Sequence, residues 1–226
     1  MRLLAQLTEY LGIEVNQTSH LERLISGLAT CAAIALVAYL TQWTLGDQAH
    51  LLFFASSAAS AFLVFALPHG ALSQPWPVLI GQSLAMLMGI GCFIVLGDGI
   101  VAAALAVGLT VFGMHYLRCL HPPGAATAFF FVTGVTPDAI AYTGFAFVFN
   151  IAVIIVLGMI MNNLFHWRRY PSQPKRHKTK PTQADRIELE DWHQALTQHD
   201  AFLDVSLEEL QTLYEQAHQV AQRRQS

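Results

Sequence analysis

Gly99-Ile-Val-Ala-Ala-Ala-Leu-Ala-Val-Gly-Leu-Thr-Val-Phe-Gly-Met-His-Tyr-Leu117 contains no Asp, Glu, Lys or Arg, and Asp98 and Arg118 close it at its two ends. At 1.5 Å per residue, roughly 20 helical residues cross the hydrocarbon of a bilayer, so this stretch has crossing length. A soluble protein can bury one such helix. Several apolar runs with charges only between them are harder to bury, and that is what surrounds this one. From Leu24 to Phe165 the charged side chains are Asp47, Asp98, Arg118 and Asp138, whereas the chain from Arg168 onward carries nine Lys/Arg and nine Asp/Glu. The whole chain is 54% hydrophobic and 12% charged, about half the charge of an ordinary soluble domain. The net charge of −3 averages two unlike regions and does not identify a partner.

Working outward, the spans are predicted at about 20–44, 50–67, 77–96, 99–117, 122–135 and 142–165. The first opens on a capping box, Ser19 with Glu22 three residues on. The second stops at Pro68 and Gly70. The segment 122–135 opens on two prolines, at home in a helix N-terminus, and is too short to cross unless its start lies inside the protein. Counting it as a crossing sets Asp47, Asp98 and Asp138 on one side of the membrane. Arg118, Arg168, Arg169, Lys175, Arg176, Lys178 and Lys180 fall on the other, which the positive-inside rule makes cytoplasmic. The expectation is an all-α, multi-pass protein of about six transmembrane helices in the inner (cytoplasmic) membrane, with both termini in the cytoplasm.

Ser57-Ala-Ala-Ser-Ala-Phe-Leu-Val-Phe65 aligns without a gap on Gly124-Ala-Ala-Thr-Ala-Phe-Phe-Phe-Val132, and Phe93–Gly97 matches Ile154–Gly158. Two halves of three helices each make an inverted 3+3 repeat, an architecture common among transporters. Its binding site is expected where interrupted helices begin, at Ala55-Ser56-Ser57 and His121-Pro122-Pro123-Gly124. There, unpaired N–H groups and helix dipoles favour an anion. Close packing of small residues is the competing explanation. Ser57 and Thr127 are the expected hydroxyl contacts. His115, Arg118 and His121 recur every third residue, on roughly one helix face, and place Arg118 and His121 at the cytosolic approach. Arg118 serves equally as a topology anchor. Gln82 and Asn150, polar residues inside apolar spans, complete the candidate set, with helix-to-helix bonding as their alternative role.

His121-Pro-Pro-Gly-Ala-Ala-Thr-Ala128 resembles the signature of the HPP family of integral membrane proteins. Phe54–Ser60 resembles that family's Gly/Ser/Ala-rich stretch, and Pro68-His-Gly-Ala-Leu-Ser-Gln-Pro75 its Pro-x-x-x-Leu-x-Gln-Pro segment. Asn162-Asn163-Leu164 with Arg169-Tyr170-Pro171 is similar to its final-helix ending. The likeness covers about residues 20–171. Ile80-Gly81-Gln82 stands where the family often has Gly-Gly-His. Members with an assigned role, in cyanobacteria and plastids, imply nitrite transport.

The remaining segments carry less chemistry. Leu3, Leu4, Leu7, Tyr10 and Leu11 fall at helical spacing and predict an amphipathic segment over 1–20, lying at the interface or against the bundle. Glu9 and Glu14, with no small-residue cleavage pattern, speak against a signal peptide. The membrane domain is expected over 21–167, a basic linker over 168–181 and a helical cytosolic tail over 182–226. In that tail, Trp192, Ala195, Leu196 and His199, then Leu207 to Ala221, form two amphipathic stretches. They are too small to stand alone, so they dock on the membrane domain, on each other or on a second copy of the chain. Cys31, Cys92 and Cys119 are isolated and show no metal or redox spacing. Three functions follow: transport of a small inorganic anion such as nitrite, a sensor or scaffold with the tail as output, and an intramembrane enzyme using His115 or His121. No acidic partner lies within the spans for those histidines, so transport leads and catalysis is not expected. The expected partners are the anion, the lipid bilayer and a second protomer, with neither nucleic acid nor cofactor.

Overall fold

The computed structural model describes residues 18–45 and 51–172, together with Tyr214. The chain divides into two compact units, Arg23–Lys175, and Met1–Glu22 with Arg176–Ser226. All regular structure among the described residues is helical: α1 His20–Leu45, α2 Leu51–Ala66, α3 Gln82–Leu96, α4 Ile100–Leu117, α5 Pro123–Thr133 and α6 Ile140–Asn163. A π-helical turn at Pro77–Gly81 leads into α3. Short 3-10 turns lie at Ala71–Ser73 and Pro137–Ala139. Most of the expected amphipathic segment and almost all of the tail lie outside the described residues; Tyr214 is helical.

Local chemistry sets the boundaries. Ser19 Oγ accepts the Glu22 N–H at 3.2 Å, one arm of the expected capping box. Pro123 opens α5, where a missing N–H leaves no bond unmade. α4 ends because Arg118 turns left-handed, with φ 52°. The Cys119 N–H then reaches back to the Met114 carbonyl at 2.9 Å, and the Arg118 N–H to that of His115 at 3.3 Å.

Among the described residues, four helices are long and apolar enough to cross a membrane: His20–Trp43, Pro77–Leu96, Ile100–Leu117 and Pro137–Asn163. Ala55–Ala66 and Pro123–Thr133 are shorter apolar helices. α5 has 11 residues, which span about 16 Å at 1.5 Å each. Seven of them are buried, among α2, α3 and α4. A helix enclosed by protein can be short, because its ends meet polar groups of the fold rather than lipid. The outer surface has the opposite character: Ile94, Ile100, Phe112 and Phe145 are all exposed. Such a surface is stable against acyl chains, and the protein is membrane-embedded.

Small residues bring the helices together. A Cβ at Gly89 would stand 2.6 Å from the Ala128 carbonyl oxygen, so α3 and α5 are in backbone contact there. Phe131 of α5 meets Phe147 of α6 edge-on at 5.7 Å. α2 packs on both α5 and α6, with Val64 and Phe65 buried beside Ile151 and Ile154.

Candidate functional site

Where α2, the start of α3 and the start of α5 meet, five polar side chains are buried together: Ser56, Ser60, Gln82, His121 and Thr127. Gln82 is the hub. Its Nε2 donates to Ser56 Oγ at 3.0 Å and to Ser60 Oγ at 2.8 Å, and its Oε1 accepts from Thr127 Oγ1 at 2.5 Å. Ser56 Oγ lies 2.5 Å from Thr127 Oγ1 and donates to the Pro123 carbonyl at 3.1 Å. The helices account for this convergence. Ser56 and Ser60 are four residues apart on one face of α2, and Gln82 is the first residue of α3. Thr127 lies one turn into α5.

His121 closes the cluster. Its Nδ1 is 2.9 Å from the Leu72 carbonyl, an acceptor only, so Nδ1 carries a proton. Its Nε2 is 2.9 Å from Ser60 Oγ. The imidazole therefore joins the loop between α2 and α3 to the interior. Among the described residues, no Asp, Glu, Lys or Arg side chain takes part in the hydrogen bonds of the cluster. Its chemistry is that of three hydroxyls, a carboxamide and an imidazole that serve one another as donors and acceptors. Among the described residues, no group of three His, Cys, Asp or Glu is placed to hold a metal ion.

The sequence candidates divide. Ser56, Gln82, His121 and Thr127 come together, and Pro123 contributes its carbonyl. Ser57 is buried one residue from Ser56, with no hydrogen-bond partner for its Oγ among the described residues. Both serines lie in the second turn of α2, which begins at Leu51, rather than at its first N–H groups. Gly124 is packed close to Ala85 and Met114. Pro122 is exposed. Asn150 Nδ2 donates to Thr41 Oγ1, tying α6 to α1 apart from the cluster. His115 and Arg118 are exposed while His121 is buried. The expected common face for the three is undone by the left-handed turn at Arg118, which ends the helix between them.

Two features escaped sequence reasoning. Ser60 lies within the repeat and within Phe54–Ser60 but is not among the candidates, although its spacing from Ser56 and its alignment with Thr127 mark it. Arg168, grouped by charge with the basic tail, is buried. It donates to the carbonyl of Phe65, to Asn162 Oδ1 at 3.0 and 3.1 Å, and to Ser26 Oγ at 3.1 Å. Its guanidinium sits where the last carbonyls of α2 lack intrahelical donors. The strap after α6 continues over the 67–76 loop. Trp167 offers its carbonyl to His69 Nε2 at 2.9 Å, and Tyr170 OH donates to the Ser73 carbonyl at 2.8 Å. The Ser172 N–H donates to Gln74 Oε1 at 2.9 Å. Burial pushes the Tyr170 phenol above its ordinary range, which keeps it a donor.

The family model described as "HPP, transmembrane region" matches residues 15–171. Two Dictyostelium discoideum proteins, each described as a transmembrane protein, are similar to the chain. One is 34% identical over 125 residues, covering 51% of this chain and 43% of that protein. The other is 30% identical over 155 residues, covering 65% and 49%. The chain thus spans less than half the length of these relatives. No solved structure matches it.

Proposed function

As this chain belongs to the HPP family of integral membrane proteins, we propose that it carries a small inorganic anion across the bilayer, taken up by the Ser56–Ser60–Gln82–Thr127 cluster. The observation that carries this reading is the cluster's composition. Three hydroxyls and a carboxamide, buried together among apolar helices, supply donors without a carboxylate to repel an anion. Each of their mutual hydrogen bonds can be exchanged for one to a guest. With no permanent positive charge in the cluster, binding stays weak enough for release, as flux requires. Nitrite is the leading substrate, on the resemblance of the motifs to family members with that role.

The same reading includes six crossings in an inverted 3+3 repeat, placed in the inner membrane with both termini cytoplasmic. One contact supports the repeat. Ser57 and Gly124 are aligned at an offset of 67 residues, and the Ser56–Pro123 hydrogen bond joins residues 67 apart. Equivalent residues touch in this way close to a local two-fold axis. Gln82 also bridges the equivalent pair Ser60 and Thr127, one with each end of its amide.

Reconstituted protein should take up nitrite faster than protein-free vesicles. Gln82→Glu puts a carboxylate among the donors at nearly constant volume, and one like charge costs enough to cut flux about tenfold or more. Undiminished nitrite flux in stable, correctly inserted Gln82→Glu protein would move the site elsewhere.

A further inference from the structure

Ser60 has one hydroxyl hydrogen and two acceptors within reach: His121 Nε2 at 2.9 Å and the Ser56 carbonyl at 3.0 Å. Gln82 Nε2 donates to it from a third direction, at 2.8 Å. With His121 neutral and its proton on Nδ1, Nε2 can only accept, so Ser60 donates to it. A second proton on His121 reverses this bond. Nε2–H then donates to Ser60 Oγ, which still accepts from Gln82, and the hydroxyl hydrogen turns to the Ser56 carbonyl. Every donor has an acceptor in both states, and no heavy atom has to move. The site is built to hold either form of the ring.

A lone buried imidazolium is costly, and so is a lone buried anion. Side by side they neutralise one another. Resting on the transport reading of the same cluster, we propose that each anion is carried together with one proton, held at Nε2 of His121 and balanced by the anion on the Ser56, Gln82 and Thr127 donors. The step forms one N–H bond from a proton of the surrounding water and breaks it again on release. The pair crosses as the equivalent of the anion's conjugate acid, without net charge.

The surroundings leave His121 as the group placed to do this. α2 and α5 contain no titratable side chain, and α3 with its entry turn contains only Cys92, near its far end. The preceding turn brings exposed Arg118 and buried Cys119, and α4 brings exposed His115 and Tyr116. From the loop, His69 is turned to the Trp167 carbonyl. From the strap, Tyr170 is held on Ser73, and Arg168 on Phe65 and Asn162.

The test is the full-length protein in vesicles containing a pH dye, with inward nitrite flux and internal pH followed together. Protein-free vesicles give the baseline, and mildly alkaline buffer keeps free nitrous acid scarce. One proton should enter per nitrite, the flux should be insensitive to membrane potential, and the apparent affinity for nitrite should fall roughly tenfold per unit of rising pH. His121→Gln should uncouple the two, leaving any nitrite flux potential-sensitive and without acidification. The wild-type proton-to-nitrite ratio decides the matter even if that variant fails to fold. Wild-type nitrite flux without acidification would overturn proton coupling and leave transport standing. No flux of nitrite, nitrate or formate above baseline would remove the transport reading and the coupling with it.

Discussion

Arg168 donates through Nη2 to the carbonyl of Phe65, 103 residues earlier in the chain, and so closes the C-terminal end of α2 from outside that helix. Arg168→Met leaves that carbonyl and Asn162 Oδ1 without this donor, and a lost buried partner of this kind costs about 1–3 kcal/mol. Thermal unfolding in detergent should show a clear drop in Tm. Arg168→Lys should recover only part of it, because one ammonium cannot fork to Phe65, Asn162 and Ser26 together. Full recovery by Lys would mean that charge alone holds the helix end.

Thr127→Val keeps the shape of the side chain and removes the hydroxyl between Gln82 and Ser56. It should destabilise by about 1–3 kcal/mol, the cost of leaving a buried acceptor unmet, and lower nitrite flux. Thr127→Ser should restore both. A Val variant with normal flux would exclude this hydroxyl from the anion's path.

Asn150 and Thr41 form a pair apart from the cluster, and a double-mutant cycle with Asn150→Leu and Thr41→Val should read out their coupling. Interhelical polar bonds in membranes average about 0.6 kcal/mol and reach about 1.7 kcal/mol, so a modest positive coupling is expected. Nitrite flux per folded molecule should stay unchanged in Asn150→Leu. A selective loss of flux would return Asn150 to the site.

Gly89→Ala forces a methyl against the Ala128 carbonyl oxygen and Phe131 Cβ, which stand 2.6 and 2.7 Å from an ideal Cβ. Neither neighbour is the end of a flexible side chain. Overpacking of this kind costs about 1–3 kcal/mol, and Tm in detergent should fall. Gly91→Ala, where a Cβ would meet nothing within 4 Å, is the control and should leave it unchanged or raise it.

The helices could be read in advance because their limits are written locally. Apolar runs end at Pro68, Gly97, Arg118 and Gly134, each of which stops a helix or lies just beyond its end. Gln82, His121 and Thr127 stood out as polar residues in or beside apolar segments, where a partner is obligatory. What no pattern disclosed was which partners they take. Arg118 and Asn150 satisfied the same criterion, yet one turns outward at a left-handed residue and the other bonds α1. Arg168 is a related case. Charge beside a membrane reads as a topology determinant, and the pattern does not disclose that this one is buried on the open carbonyls at the end of α2.

The strap over the 67–76 loop also bears on the order in which the domain can be completed. Synthesis delivers Ser73 and Gln74 about a hundred residues ahead of the partners that hold them, Tyr170 and Ser172. Until α6 is inserted and those residues have left the ribosome, the loop that seats His121 lacks its outer fastening. The loop over His121 therefore gains its outer fastening late in synthesis, and a nascent chain halted before Tyr170 would hold α1 to α6 with that loop still unfastened.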